Sequence, residues 1–231
     1  MVKKSFAAFA TLIALASILS ASVQATAADG FDKTQHSLVA ANSLWVLVNK
    51  THPLKPLKYV PANLSAPKKF NNGKLQLAKP AADAYVVMAT AAKTAGAGTL
   101  SIASGYRSYA LQVTVHAQDV KKLGLTAGEK LAARPGFSEH QTGLAADVWA
   151  PAQSCRIRVC FATTKAGKWL KANAWQYGFV IRYPDGSYPT TGYQFEPWHL
   201  RYVGVELSTE LHNTGFTILE KFWQYPNSPN Y

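Results

Sequence analysis

FSEHQTGLAADVWA, residues 137–150, is the stretch on which the fold turns. A histidine, His140, is followed by Gly143 and then by an almost wholly apolar run that carries one acid, Asp147. Leu144 to Trp149 reads as a short buried strand. Strand side chains alternate, so Asp147 shares a face with Ala145 and Trp149. A carboxylate buried there alone would cost on the order of several kcal/mol or would take up a proton. A divalent cation beside it would stabilise the charged form directly. Gly143 breaks the chain just ahead of the strand and lets His140 fold back toward Asp147.

A second segment, YQFEPWHLRYVG at 193–204, supplies what the first lacks. Pro197 disfavours a helix interior, so Glu196 and His199 are expected to converge through a bent extended segment. His140, Asp147 and His199 would then give two imidazoles and one carboxylate, leaving a fourth position for water, a set suited to catalytic zinc. Glu196 would stand beside it as a general base. On the residues alone, plainer readings stay open. His140 could cap a strand, Asp147 could pair with one of many Arg or Lys residues, and Glu196 could pair with Arg201.

Outward from these segments the pattern mixes short elements. Ala81–Thr94 is helical, with Tyr85, Met88 and Ala92 on one face. Thr99–Ala103 reads as a strand. SGYRSY, residues 104–109, reads as a loop, with Gly105 allowing an unusual backbone and Ser108 capping a second helix that stops at Gly124. A helix from Thr164 to a cap at Gly178 precedes a strand over 179–182, and short helices close the chain. VNKTHPLKPLKYVPANL, residues 48–64, carries three prolines and reads as an extended arm laid over the domain. No βαβ alternation appears, which argues for α+β: a single compact domain with a small, mainly antiparallel sheet, helices packed around it, and the site in a cleft.

Lys3 and Lys4 precede an apolar stretch and then small residues around 23–25, the layout of a secretory leader. The expected organisation is a signal peptide at 1–25, a flexible segment at 26–42, the domain at 43–225 and a short tail at 226–231. The net charge is +12, and about +10 without the leader. For an exported chain that balance suits anionic envelope polymers as partners. The basic residues form no run, and no nucleic-acid motif is present. Beyond the leader nothing is long and apolar enough to span a membrane. Cys155 and Cys160 are the two cysteines. In an oxidising compartment they are expected to form a disulfide; metal binding by the pair would lack further thiolate partners.

SGYRSYALQ (104–112), PGFSEHQTGLAADV (135–148), WLKANAWQYGFVIRYP (169–184) and TGYQFEPWHLRYVG (191–204) together closely resemble the zinc-dependent D-alanyl-D-alanine carboxypeptidases of the VanY type. The resemblance runs from about Asn42 to Leu219 in unbroken order. It implies one zinc on His140, Asp147 and His199, with Glu196 activating the zinc-bound water. Arg107 would sit over the scissile carbonyl, and Ser138 and Gln112 would position substrate. Trp198, between base and ligand, would be a wall of the site. The implied reaction removes the terminal D-alanine from peptidoglycan stem peptides outside the cell, in the wall or in the periplasm. The alternatives are L,D-carboxypeptidase or endopeptidase action on the same polymer, or a wall-binding module without catalysis.

Overall fold

In the computed structural model, residues 1, 30–67 and 75–231 are described. The expected leader, apart from Met1, lies outside them. Lys33–Tyr231 forms one unit. It begins with a coil that leads into a two-residue pairing of β1 (Leu64–Ser65) with β2 (Leu77–Ala78). Helix α1 (Lys79–Thr94) follows directly, with Pro80 in its first turn, where no amide hydrogen is missed.

The rest is built on a four-stranded antiparallel sheet. Its strands are β3 (Ser101–Ser104), β4 (Ala145–Trp149), β5 (Phe179–Ile181) and β6 (His199–Tyr202), in the spatial order β3-β4-β6-β5. Between β3 and β4 lie α2 (Tyr109–Leu123) and the short α3 (Leu125–Gly128). Helix α4 (Lys165–Asn173) precedes β5, α5 (Tyr188–Thr191) precedes β6, and α6 (Val205–Thr214) and α7 (Leu219–Phe222) close the chain.

The sheet sorts its side chains by parity. Ile102, Ala146, Val148 and Leu200 face α1 and join Tyr85, Met88 and Ala92 in the main core. Complete burial of a side chain such as Met88 contributes roughly 1.5–3 kcal/mol. Asp147 and His199 fall on the other parity, and they are direct partners across β4 and β6. Directly opposed residues in an antiparallel pair share a face. The acid among the alanines therefore points away from the core although its strand is buried on both sides.

The local expectations are met where capping chemistry decides them. The Ser108 side chain accepts from the Leu111 amide at 3.2 Å, and that of Thr164 accepts from the Gly167 amide at 3.0 Å. Gly105 differs in its reason. It has no left-handed backbone; a Cβ there would come within 2.5 Å of the Gln76 carbonyl oxygen. Space, not conformation, requires glycine. At Gly143 both apply, with φ of +72° and a Cβ that would lie 2.8 Å from the Ala78 nitrogen.

Ahead of the domain, Lys33 Nζ lies 4.5 Å from the centre of the Phe222 ring and His36 meets Trp45 edge-on at 4.8 Å. In the C-terminal residues the Ser228 amide donates to the Thr190 carbonyl at 2.7 Å, and the Tyr231 hydroxyl accepts from the Arg134 amide at 2.7 Å. Cys155 and Cys160 form the expected disulfide, with Cα atoms 5.6 Å apart.

Candidate metal centre

Three short pieces of chain bring the site together. The first is a helical turn at Glu139–Thr142, ended by left-handed Gly143. It carries His140 above the sheet. The proline-bearing arm braces this turn: the Gln141 side-chain amide donates to the Leu57 and Tyr59 carbonyls at 2.6 and 3.1 Å. The second is β4, which carries Asp147. The third is a tight turn in which the His199 amide donates to the Glu196 carbonyl at 3.1 Å, with Pro197 at the turn's second position. That turn places Glu196 beside the ligand three residues on.

His140, Asp147 and His199 are buried, and each offers a ligand atom within 4.8 Å of the others. The hydrogen bonds at the outer edges of the rings decide what the inner edges present. His140 Nδ1 lies 2.8 Å from the Gly105 carbonyl oxygen. A carbonyl can only accept, so Nδ1 carries the hydrogen and the lone pair of Nε2 faces Asp147 at 3.2 Å. His199 Nε2 lies 3.4 Å from Glu139 Oε2, and its Nδ1 faces Asp147 Oδ1 at 3.1 Å. Two imidazole nitrogens and a carboxylate thus converge on one point, where they repel unless a cation or a proton lies between them. The outer bonds to a carbonyl and a carboxylate are those that orient metal-binding histidines. The donor set fits zinc.

The charges respond accordingly. Burial pushes the Asp147 carboxyl up, but His140 and His199 outweigh it and hold it well below the usual range. Burial depresses His199, yet its bonds to Asp147 and Glu139 raise it to about 9. Burial pushes Glu196 up to about 8, against the opposing pull of His199. Without a metal the site keeps a proton on His199, and that proton stands in for the cation.

Glu139 is the residue that sequence reasoning missed. It stands inside the motif, between Ser138 and His140, where the sequence assigns it no role. Its Oε1 accepts from Arg182 Nε and Arg201 Nη1, both at 2.8 Å. Arg182 also grips Glu220 through both terminal nitrogens at 2.9 and 2.6 Å, and Arg201 donates to the Leu44 and Val46 carbonyls, just ahead of the arm. Arg201 therefore pairs with Glu139 and not with Glu196. A carboxylate next to a candidate histidine ligand was the one available signal for Glu139.

Arg107 reaches the site from the loop after β3. Its guanidinium donates to Gln112 and Ser104, both at 2.9 Å, and stands 4.0 Å from Asp147 Oδ2. Ser138 and Trp198 line the cleft, as do Tyr183 and Tyr193, which the motifs did not flag. Ser138 Oγ makes no hydrogen bond to a described residue. Gln112 is fully buried; its side-chain oxygen accepts from Arg107 and its amide nitrogen donates to the Ala133 carbonyl at 2.7 Å, which holds Arg107 in place.

The chain is similar to known carboxypeptidases in sequence and in fold. The family model described as VanY, D-alanyl-D-alanine carboxypeptidase, matches residues 74–205. YodJ of Bacillus subtilis (strain 168), a carboxypeptidase by name, is 38% identical over 199 residues, covering 84% of this chain and 71% of that one. The solved structure of the LdcB LD-carboxypeptidase superposes with a TM-score of 0.73 at 37% identity, over 80% of this chain and 88% of that one. A vancomycin-resistance D,D-pentapeptidase VanY, solved with Zn(II), superposes with a TM-score of 0.65 at 29% identity, over 77% of this chain and 97% of that one.

Proposed function

Because the chain belongs to the VanY family of D-alanyl-D-alanine carboxypeptidases, we propose that it removes the terminal D-alanine from peptidoglycan stem peptides, with Glu196 as general base. The observation that carries this reading is the convergence of His140, Asp147 and His199 on one point beside a buried, protonatable Glu196. Zinc is the cofactor, one per chain; it supplies Lewis acidity, polarising a carbonyl and bringing the pKa of a water to about 7.

The chain's own residues do the rest. Glu196 takes the proton of the attacking water as its oxygen bonds to the carbonyl carbon. Arg107, held in place by Gln112 and Ser104, stabilises the negative charge that gathers on the carbonyl oxygen; one such partner is worth roughly 10²–10³ in rate. As the carbon–nitrogen bond breaks, Glu196 returns the proton to the leaving amine. Ser138 Oγ is free to hold the substrate backbone, and Trp198 walls the cleft. The reading places the protein outside the cell or in the periplasm, where its basic surface meets anionic polymers. Among the described residues no helix is long and apolar enough to cross a membrane.

The test is incubation of zinc-loaded protein with pentapeptide and tetrapeptide muropeptides, with products read by mass. The expected result is loss of one alanine from the pentapeptide, abolished in Glu196→Ala with zinc retained. Unchanged activity in Glu196→Ala would sink its role as base. A second reading, L,D-carboxypeptidase, is favoured by the LdcB superposition; trimming of the tetrapeptide in place of the pentapeptide would select it.

A further inference from the structure

Helix α2 runs along one wall of the cleft. Gln112, Val115 and Asp119 lie on one stripe of it, and Val115 and Asp119 line the cleft. Seven helical residues span about 10 Å. Asp119 therefore stands that far along the wall from Gln112, which holds Arg107 at the metal centre.

The other acids of the cleft are committed. Glu139 is bound by two arginines, Asp147 faces two histidines, and Glu196 Oε2 lies 3.7 Å from His199 Nδ1. Asp119 is half-buried and has neither a hydrogen bond nor an ion pair among the described residues. The chain holds 24 Lys and Arg against 12 acids, yet none of the described basic groups pairs directly with Asp119; Arg107 feels its charge without contact. The nearby His116 does not serve it, being paired with Glu129 at 3.4 Å. Ile157 of the disulfide-closed loop gives the same cleft an apolar lining residue. Its neighbour Arg156 lies over the Trp149 ring at 5.2 Å.

A carboxypeptidase leaves only one residue, about 3.3 Å of extended chain, beyond the bond it cuts. A group about 10 Å along the wall must meet the substrate on the other side of the cut. We propose that Asp119 is a specificity-determining residue that binds a free ammonium on a substrate side chain about two to three residues upstream of the scissile bond. The chemistry selects a stem peptide whose diamino acid keeps its side-chain amine uncapped. Acylating that amine, as in a cross-linked strand, removes the charge. This inference rests on the carboxypeptidase reading.

Two peptides ending in D-alanine, identical except for a free or an Nε-acetylated lysine upstream, test it. Binding is measured by calorimetry to the zinc-loaded Glu196→Ala protein, and kcat and KM are measured with Glu196 intact. The expected result is about fivefold tighter binding of the free-amine peptide. Asp119→Asn should abolish that preference, acting through KM. Equal binding of both peptides, or a preference that survives in Asp119→Asn, overturns the inference while hydrolysis of either peptide leaves the carboxypeptidase reading standing. Absence of both binding and hydrolysis for both peptides overturns the two together.

Discussion

Asp147 and Glu139 are two buried carboxylates on opposite edges of the His199 ring, at 3.1 and 3.4 Å, and they are neutralised in opposite ways. Glu139 is held by Arg182 and Arg201, which never lose their charge. Burial pushes its carboxyl up, but the two arginines outweigh that and keep it well below the usual range. Asp147 faces two histidines, with Arg107 only at 4.0 Å. Histidines can exchange a proton for a metal; arginines cannot. The protein therefore closes the charge balance on one side of His199 and leaves it open on the other. The closed side fixes the ring, and the open side is left for a cation.

Isosteric substitutions can break this comparison. Glu139→Gln leaves the buried Arg201 guanidinium without its carboxylate and takes one of two from Arg182, so the metal-free protein should lose about 3–5 kcal/mol of unfolding free energy in denaturant titrations. Removal of the disulfide by Cys155→Ser with Cys160→Ser should cost about 2 kcal/mol and leave zinc content unchanged, which separates general stability from the metal centre. Asp147→Asn should abolish zinc binding yet cost only about 1 kcal/mol in the metal-free protein, since His199 can shed its proton. Equal destabilisation by Glu139→Gln and Asp147→Asn would erase the distinction. The smallest effect sharpens it. His199, raised to about 9, holds its proton at pH 7 in the metal-free site. Zinc binding at pH 7 must then displace about one proton, seen as a dependence of the binding enthalpy on buffer ionisation. No such dependence would mean that Asp147 is neutralised by something else.

What could be read from the chain was what short-range chemistry decides. Tyr85, Met88 and Ala92 announce a buried helix face by spacing, and all three are buried. Gly143 and the Glu196–His199 turn are local devices, legible within a few residues. The arginine clamp is not local. Glu139 meets Arg182 and Arg201 across 43 and 62 residues, and nothing in the spacing selects these two from the chain's other cations. The support that Gln112 gives Arg107 is hidden for a related reason: a polar residue in a motif next to Arg107 looks the same whether it faces substrate or supports the arginine. Only the Ala133 carbonyl, brought in from the far side of α3, shows which.

The pairing of Asp147 with His199 across β4 and β6 sets where this chain can change length. Inserting a single residue into β4 after Ala145 would exchange the two faces of everything beyond it, sending the carboxylate into the core and Val148 into the cleft. Indels inside that strand are therefore counted in twos or not at all. Loops obey no such parity. The segment between Cys155 and Cys160 lies outside the sheet, with its ends joined by the disulfide. Its length is not tied to the register that sets Asp147 opposite His199. The cleft therefore has one part locked by arithmetic and another open to revision, and related enzymes with different substrates should differ first in the second.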